Sequence, residues 1–152
     1  MVVVSYIHAH NFRKTYFFAK DKHVHHPVVR SIASRHNVIV MEPSNLKVSI
    51  QRMGESLKQG HNFIIFPEGT RTDNGEVGEF KKTFAILSKE LNVPIIPVSI
   101  HGAYEAMPKH SKVIRPSKIK VNYLPAVVAK DGESYDELAS RVRSVIEQDQ
   151  RS

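Results

Sequence analysis

The chain has 152 residues, 41% hydrophobic and 24% charged, values that fit one soluble globular domain over residues 1–152 and exclude disorder for most of the length. There is no cysteine, which excludes disulfide and thiol chemistry and leaves only metals that accept His and carboxylate. Twenty-two Lys and Arg against fifteen Asp and Glu give a formal charge of +7, a sign that favours nucleic acid, phosphorylated metabolites or an anionic membrane surface.

No stretch approaches the ~18 consecutive apolar residues of a membrane span. Met1-Val2-Val3-Val4 is too short for the apolar region of a signal peptide, so a cytoplasmic protein with peripheral membrane contact is expected. There is no internal repeat and no linker-like stretch.

Taken in order, Val24, Val28 and Ile32 fall at helical spacing, with Pro27 near the start. Residues 38–41 are a short apolar run with strand character, ended by Pro43. Leu46, Ile50, Met53 and Leu57 mark the core-facing side of a helix, and Gly60 is placed to cap it. Residues 62–66, Asn-Phe-Ile-Ile-Phe, are apolar on both faces, as a central parallel strand requires. Phe80, Phe84, Leu87 and Leu91 repeat the helical spacing. Residues 94–100 form another strand, in which Pro97 implies an edge, a bulge or a break. Residues 118–123 alternate polar and apolar and predict a half-exposed strand. Ser134 and Glu137 form a capping box ahead of Leu138, Val142 and Val145. The alternation predicts an α/β fold, a mostly parallel central sheet flanked by helices.

The candidate site follows the strand at 62–66, where the chain reads Phe66-Pro67-Glu68-Gly69-Thr70-Arg71-Thr72. Ligands of open α/β sheets bind beyond the carboxyl ends of strands, where this loop lies. Gly69 permits an unusual backbone conformation and close approach to a ligand. Arg71 can hold a phosphate through two parallel charge-assisted hydrogen bonds, and Thr70 and Thr72 add hydroxyl donors. Glu68 has two readings: it accepts a hydrogen bond from a ligand hydroxyl, or it pairs with Arg71 as a structural ion pair. The spacing of a nucleotide-binding Walker loop is absent.

Phe66-Pro67-Glu68-Gly69-Thr70-Arg71 closely resembles the third signature block of the lysophospholipid and glycerol-3-phosphate acyltransferase family. Phe80-Lys81-Lys82 is similar to the Phe-Lys segment after that block, with Thr83 where a glycine is common. Val93-Pro94-Ile95-Ile96-Pro97-Val98 looks like the fourth block, whose prolines shape the substrate groove. Tyr16-Phe17-Phe18-Ala19-Lys20 is similar to the strand and lysine after the first block. Val38-Ile39-Val40-Met41-Glu42 occupies the place of the second, but Pro43 and Ser44 follow where an arginine is common. The resemblance covers about residues 1–125. It implies transfer of a fatty acyl group from acyl-CoA or acyl carrier protein to a lysophospholipid or glycerophosphate. Arg71 would bind the phosphate, Glu68, Gly69 and Thr70 would shape the pocket, and Lys81 would add positive charge.

The family's base is a His-x-x-x-x-Asp motif, in which histidine deprotonates the acceptor hydroxyl and aspartate orients the imidazole. None of the nine histidines has an aspartate five positions later. In the family the motif precedes a helix leading to the strand matched by Tyr16 and Ala19. Residues 2–10 are taken as that helix, so the motif is expected upstream of Met1, in a domain truncated at its N-terminus and inactive alone. No catalytic residue is therefore assigned within this sequence. Some bacterial members carry the domain beside an acyl-activating ligase domain, which the full-length chain would then include.

His8, His10, His23, His25 and His26 lack recognised metal spacing, and no metal or other cofactor is expected. Lys109, Lys112, Arg115, Lys118 and Lys120 form a basic segment, read either as a solvated edge or as a contact for anionic lipid headgroups. A non-catalytic module for phospholipid headgroups or anionic membrane is the alternative function. Nucleic acid is not expected, since no aromatic–basic or zinc-finger signature accompanies the charge.

Overall fold

The computed structural model describes residues 2–4, 15–20, 38–41 and 46–152. Strands β1 (Val2–Val4), β2 (Thr15–Lys20), β3 (Val38–Met41), β4 (Asn62–Ile65), β5 (Ile95–His101) and β6 (Lys120–Tyr123) form a sheet in the order β3-β2-β4-β1-β5-β6. Helices α1 (Leu46–Lys58), α2 (Thr83–Leu91) and α4 (Tyr135–Arg151) pack on it, and a short α3 (Ala103–Ala106) follows β5.

The α/β fold forms as expected, with a mixed sheet: β2 is parallel to both β3 and β4, and the other three pairings are antiparallel, although β2 to β5 share one direction. β1 and β6 run against them. The expected helix at residues 2–10 is corrected at its first residues, whereas residues 5–10 lie outside the described residues. Val2–Val4 is a strand inserted between β4 and β5, with Val3 opposite both Ile64 and Ile96. Three consecutive β-branched residues favour the pleated conformation, and two flanking strands supply hydrogen-bonding partners on both sides. The helix expected around Val24, Val28 and Ile32, together with Glu42, Pro43 and Ser44, lies outside the described residues.

The periodic helices form as expected. In α1, Met53 and Leu57 are fully buried and Ile50 packs against the core. The helix ends in a Schellman arrangement: Gly60 N–H donates to Leu57 O at 2.9 Å, and His61 N–H to Ser56 O at 3.2 Å. α2 ends the same way, but Asn92 takes the left-handed position at φ 51°, with Val93 N–H on Ser88 O. α4 begins with the full capping box between Ser134 and Glu137. Its buried face carries Leu138, Val142 and Ile146, while Val145 is only partly covered.

These faces meet Phe63 and Ile65 of β4 and Ile95 of β5 in one core, with Phe84 and Leu87 of α2 between the outer helices. Truncating a buried Phe such as Phe63 or Phe84 would cost about 3–5 kcal/mol. Pro97 sits inside β5 at a bulge: residues 124–126 lie opposite only Ile96 and Pro97 between the pairs Val98–Tyr123 and Ile95–Val127. Pro97 has no N–H to offer there, but its carbonyl accepts Leu124 N–H at 3.0 Å. β6 is the edge strand, shorter than the expected 118–123, and its alternation misleads: the apolar Val121 and Tyr123 are exposed and Asn122 is the residue partly covered, because no element packs on the apolar face among the described residues.

Candidate functional site

β4 delivers residues 66–72 to the carboxyl end of the sheet, the same end at which β5 runs into Gly102 and α3. Phe66 C=O accepts Gly69 N–H at 3.1 Å, closing a turn, and Gly69 takes φ 64°, the left-handed conformation its residue type allows. Pro67 is buried, and its carbonyl accepts Lys81 N–H at 2.9 Å. That bond fixes the Phe80-Lys81-Lys82 segment beside the turn. The Lys81 side chain is exposed, and Phe80 leans edge-on against Phe84 at 6.1 Å.

Glu68 and Arg71 do not pair with each other among the described residues, which overturns the structural ion pair. Glu68 Oε2 instead accepts Gly78 N–H at 2.9 Å, a half-buried bond that draws the returning chain onto the turn. A Cβ at residue 78 would stand 3.0 Å from that oxygen, so a larger residue there would make the Glu68 carboxylate give way by a few tenths of an ångström. Arg71 reaches across to the loop after α3, where Nη2 donates to Lys109 O at 2.8 Å and Nη1 to Pro108 O at 3.4 Å. A guanidinium has five N–H donors, so three remain available to an anion. Thr70 is exposed. The Thr72 hydroxyl serves the chain itself: it donates to Asn74 Oδ1 at 3.0 Å and accepts Gly75 N–H at 3.1 Å, which removes it as a ligand donor.

The sequence reading missed Asp73. Its carboxylate bridges Lys109 Nζ at 2.6 Å and His110 Nε2 at 3.0 Å, and its backbone carbonyl accepts the Tyr104 hydroxyl at 2.9 Å. The bonds from Lys109 and then His110 hold the Asp73 carboxyl below the usual range. Together with Arg71 they lash the motif loop to residues 104–110. Lys109 therefore spends its charge on Asp73, whereas Lys112, Arg115, Lys118 and Lys120 form no ion pair among the described residues. No spacing links positions 36 apart, so only the turn-rich Thr72-Asp73-Asn74-Gly75 hinted at order here.

A second polar cluster joins β5, β6 and α4. Asp149 accepts from Asn122 Nδ2 at 3.0 Å and lies 2.8 Å from His101 Nε2, which is 3.2 Å from the fully buried Ser99 hydroxyl. Ser99 and Asp149 approach the same ring nitrogen, so the three cannot relay a proton from serine through opposite sides of the imidazole. Among the described residues no group of three or more His, Asp or Glu side chains has the arrangement of a metal site. Among them, no helix is long and apolar enough to cross a membrane.

Comparison with known proteins agrees with this geometry. The family model described as Acyltransferase matches residues 1–101. A 1-acyl-sn-glycerol-3-phosphate acyltransferase of Limnanthes alba is 32% identical over 117 residues, 74% of this chain and 42% of that protein. The Pseudomonas aeruginosa protein of the same name is 31% identical over 96 residues, 60% of this chain and 37% of its own. The crystal structure of the 1-acyl-sn-glycerophosphate (LPA) acyltransferase PlsC from Thermotoga maritima superposes with a TM-score of 0.77 at 30% identity, over 91% of this chain and 56% of that one. The chain thus spans well under two thirds of the length of these relatives. With the family model matched over residues 1–101 and an α/β sheet that carries Phe66-Pro67-Glu68-Gly69-Thr70-Arg71 at its carboxyl end, the chain belongs to the acyltransferase family.

Proposed function

We propose that this chain supplies the acceptor-binding part of an acyltransferase that moves a fatty acyl group from acyl-CoA or acyl carrier protein to a lysophospholipid or glycerophosphate, working peripherally at the cytoplasmic face of an anionic membrane. The observation that carries the reading is Arg71, held at the carboxyl end of β4 by two backbone carbonyls with three donors to spare. In this scheme Arg71 binds the acceptor phosphate. Glu68, Gly69 and Thr70 shape the pocket around the glycerol, and Lys81 adds positive charge at its rim. The acceptor hydroxyl oxygen attacks the thioester carbonyl, its proton passes to a histidine base, and the thiolate leaves. That histidine comes from a His-x-x-x-x-Asp motif outside these 152 residues, none of whose histidines has the required aspartate.

The same absence favours a second reading, a non-catalytic module that holds phospholipid headgroups. Both readings need Arg71 for the phosphate. Titration calorimetry with glycerol 3-phosphate is expected to show Arg71→Ala binding at least about tenfold more weakly, since hydrogen bonds to charged groups contribute ~1.5–3 kcal/mol each. Arg71→Lys, which keeps the charge and loses the fork, should fall between the two. Affinity unchanged in Arg71→Ala would remove the phosphate site from both readings.

A further inference from the structure

The segment after α3 is unlike the rest of the surface. Between Glu105 and Asp131 there is no carboxylate, and residues 106–130 hold six Lys and Arg, a concentration that accounts for most of the chain's net charge of +7. Residues 112–121 are all exposed. Within this run Lys112, Arg115, Lys118 and Lys120 make no ion pair with a described residue. Interleaved with them stand large aliphatic side chains, Val113 at 68% exposure and Ile114 at 73%, followed by the exposed Ile119 and Val121. Water-facing aliphatics at this density mark a contact surface.

We infer that the loop at 112–121 docks the protein on an anionic lipid bilayer, with Val113 and Ile114 entering the headgroup–acyl boundary and Lys112, Arg115, Lys118 and Lys120 lying against lipid phosphates. The backbone is prepared for such a move. Ser111 Oγ accepts Val113 N–H at 3.1 Å and donates to Val113 O at 2.8 Å, so one hydroxyl satisfies both polar groups of that residue. Arg115 N–H donates to Ala106 O at 2.8 Å. With its two backbone groups paired, Val113 leaves water at lower cost, and long basic side chains keep their charged ends at the headgroups while their stems follow the aliphatics inward.

The base of the loop is the piece held by the motif. Arg71 bonds Pro108 and Lys109 carbonyls, and Asp73 holds Lys109 and His110. Docking through the tip therefore sets the orientation of the Arg71 site toward the bilayer that contains a lipid acceptor. This assignment rests on the phospholipid reading above. It goes beyond it by naming the surface and separating its two components: charge that draws the protein in, and two aliphatic residues that enter.

The test is partition of the whole chain onto vesicles of phosphatidylglycerol with phosphatidylcholine, against vesicles of phosphatidylcholine alone. Binding is expected on the first and not the second. Lys112→Gln with Arg115→Gln should lower the partition coefficient about 25-fold, roughly fivefold per cation. Val113→Ser with Ile114→Ser should lower it at least about tenfold. The chain has no tryptophan, so Ile114→Trp gives a single reporter whose emission should shift to the blue on vesicles and resist an aqueous quencher. Equal binding to both vesicle types, loop variants that partition like the wild type, an unshifted tryptophan emission from the Ile114→Trp variant, or capture by nucleic acid or an acidic carrier protein in place of vesicles would each overturn the assignment. Glycerol 3-phosphate calorimetry without vesicles separates the two readings. Loop variants that lose vesicles but keep glycerol 3-phosphate support docking, whereas a wild type that binds glycerol 3-phosphate and ignores vesicles overturns docking alone. Vesicle binding with no glycerol 3-phosphate binding overturns the phospholipid reading on which the assignment rests.

Discussion

Gly102 joins β5 to α3, and replacing it with alanine gives a cost that can be worked from geometry. The residue sits at φ 77° and ψ −3°, left-handed, where a Cβ costs about 1–2 kcal/mol. That Cβ would lie 2.2 Å from Lys118 O and 3.3 Å from Ser117 Oγ, whose hydroxyl donates to Gly102 O at 3.1 Å. The Lys118 carbonyl is backbone, so it cannot rotate away. It must retreat by most of an ångström, dragging the His101–Lys120 end of the β5–β6 pairing with it. Overpacking of this kind adds about 1–3 kcal/mol. Gly60→Ala is the control, since Gly60 is equally left-handed at φ 81° but a Cβ there meets nothing within 4 Å. Thermal and urea unfolding followed by circular dichroism should place Gly102→Ala below Gly60→Ala by about 1–3 kcal/mol, at least about 3 °C in Tm for a chain this size. Equal losses in the two variants would refute the steric argument.

Of the carboxylates held low in the folded chain, Glu133 and Asp149 are shifted furthest. Arg141, through bonds at 2.7 and 2.8 Å, holds Glu133 down to about 2 from an ordinary 4.5, and Asn122 followed by His101 holds Asp149 down to about 2 from 3.8. A folded-state value below the unfolded one contributes stability that is complete above the ordinary carboxylate range and lost as pH falls from there toward 2. Unfolding midpoints should therefore drop across that window, and Glu133→Gln should show a shallower drop; identical slopes would speak against the Arg141 contact as the cause. Ser134→Ala, which removes the bond to Glu137 N–H at 3.2 Å, should cost about 1 kcal/mol, whereas exposed Ser140 changed to alanine on the same helix should stay within about 0.5 kcal/mol.

What the sequence made legible was local. The spacing of Ile50, Met53 and Leu57, the cap at Gly60 and the box at Ser134 and Glu137 each depend on residues within one or two turns, and each forms as read. The position of the motif loop followed from the apolar run before it. Long-range partners were not legible. Glu68 accepts from a backbone N–H ten residues on, and Arg71 from the same loop donates to carbonyls more than thirty residues away, so no side-chain pattern announces either. The misreading at Val2–Val4 has another source: the helix came from the family resemblance, whereas three adjacent valines have the intrinsic preference of a strand.

If residues 66–71 hold the acceptor while the base lies outside these 152 residues, acyl transfer will show it. Labelled acyl-CoA and 1-acylglycerol 3-phosphate are supplied to this chain and to a form extended ahead of β1 by a segment carrying His-x-x-x-x-Asp. Labelled phosphatidate is expected from the extended form, none from the chain of 152 residues, and none from the extended form bearing Arg71→Ala. Transfer by the shorter chain would place a base among its own histidines, and no transfer by either would leave residues 66–71 as a binding loop and contradict the enzyme reading.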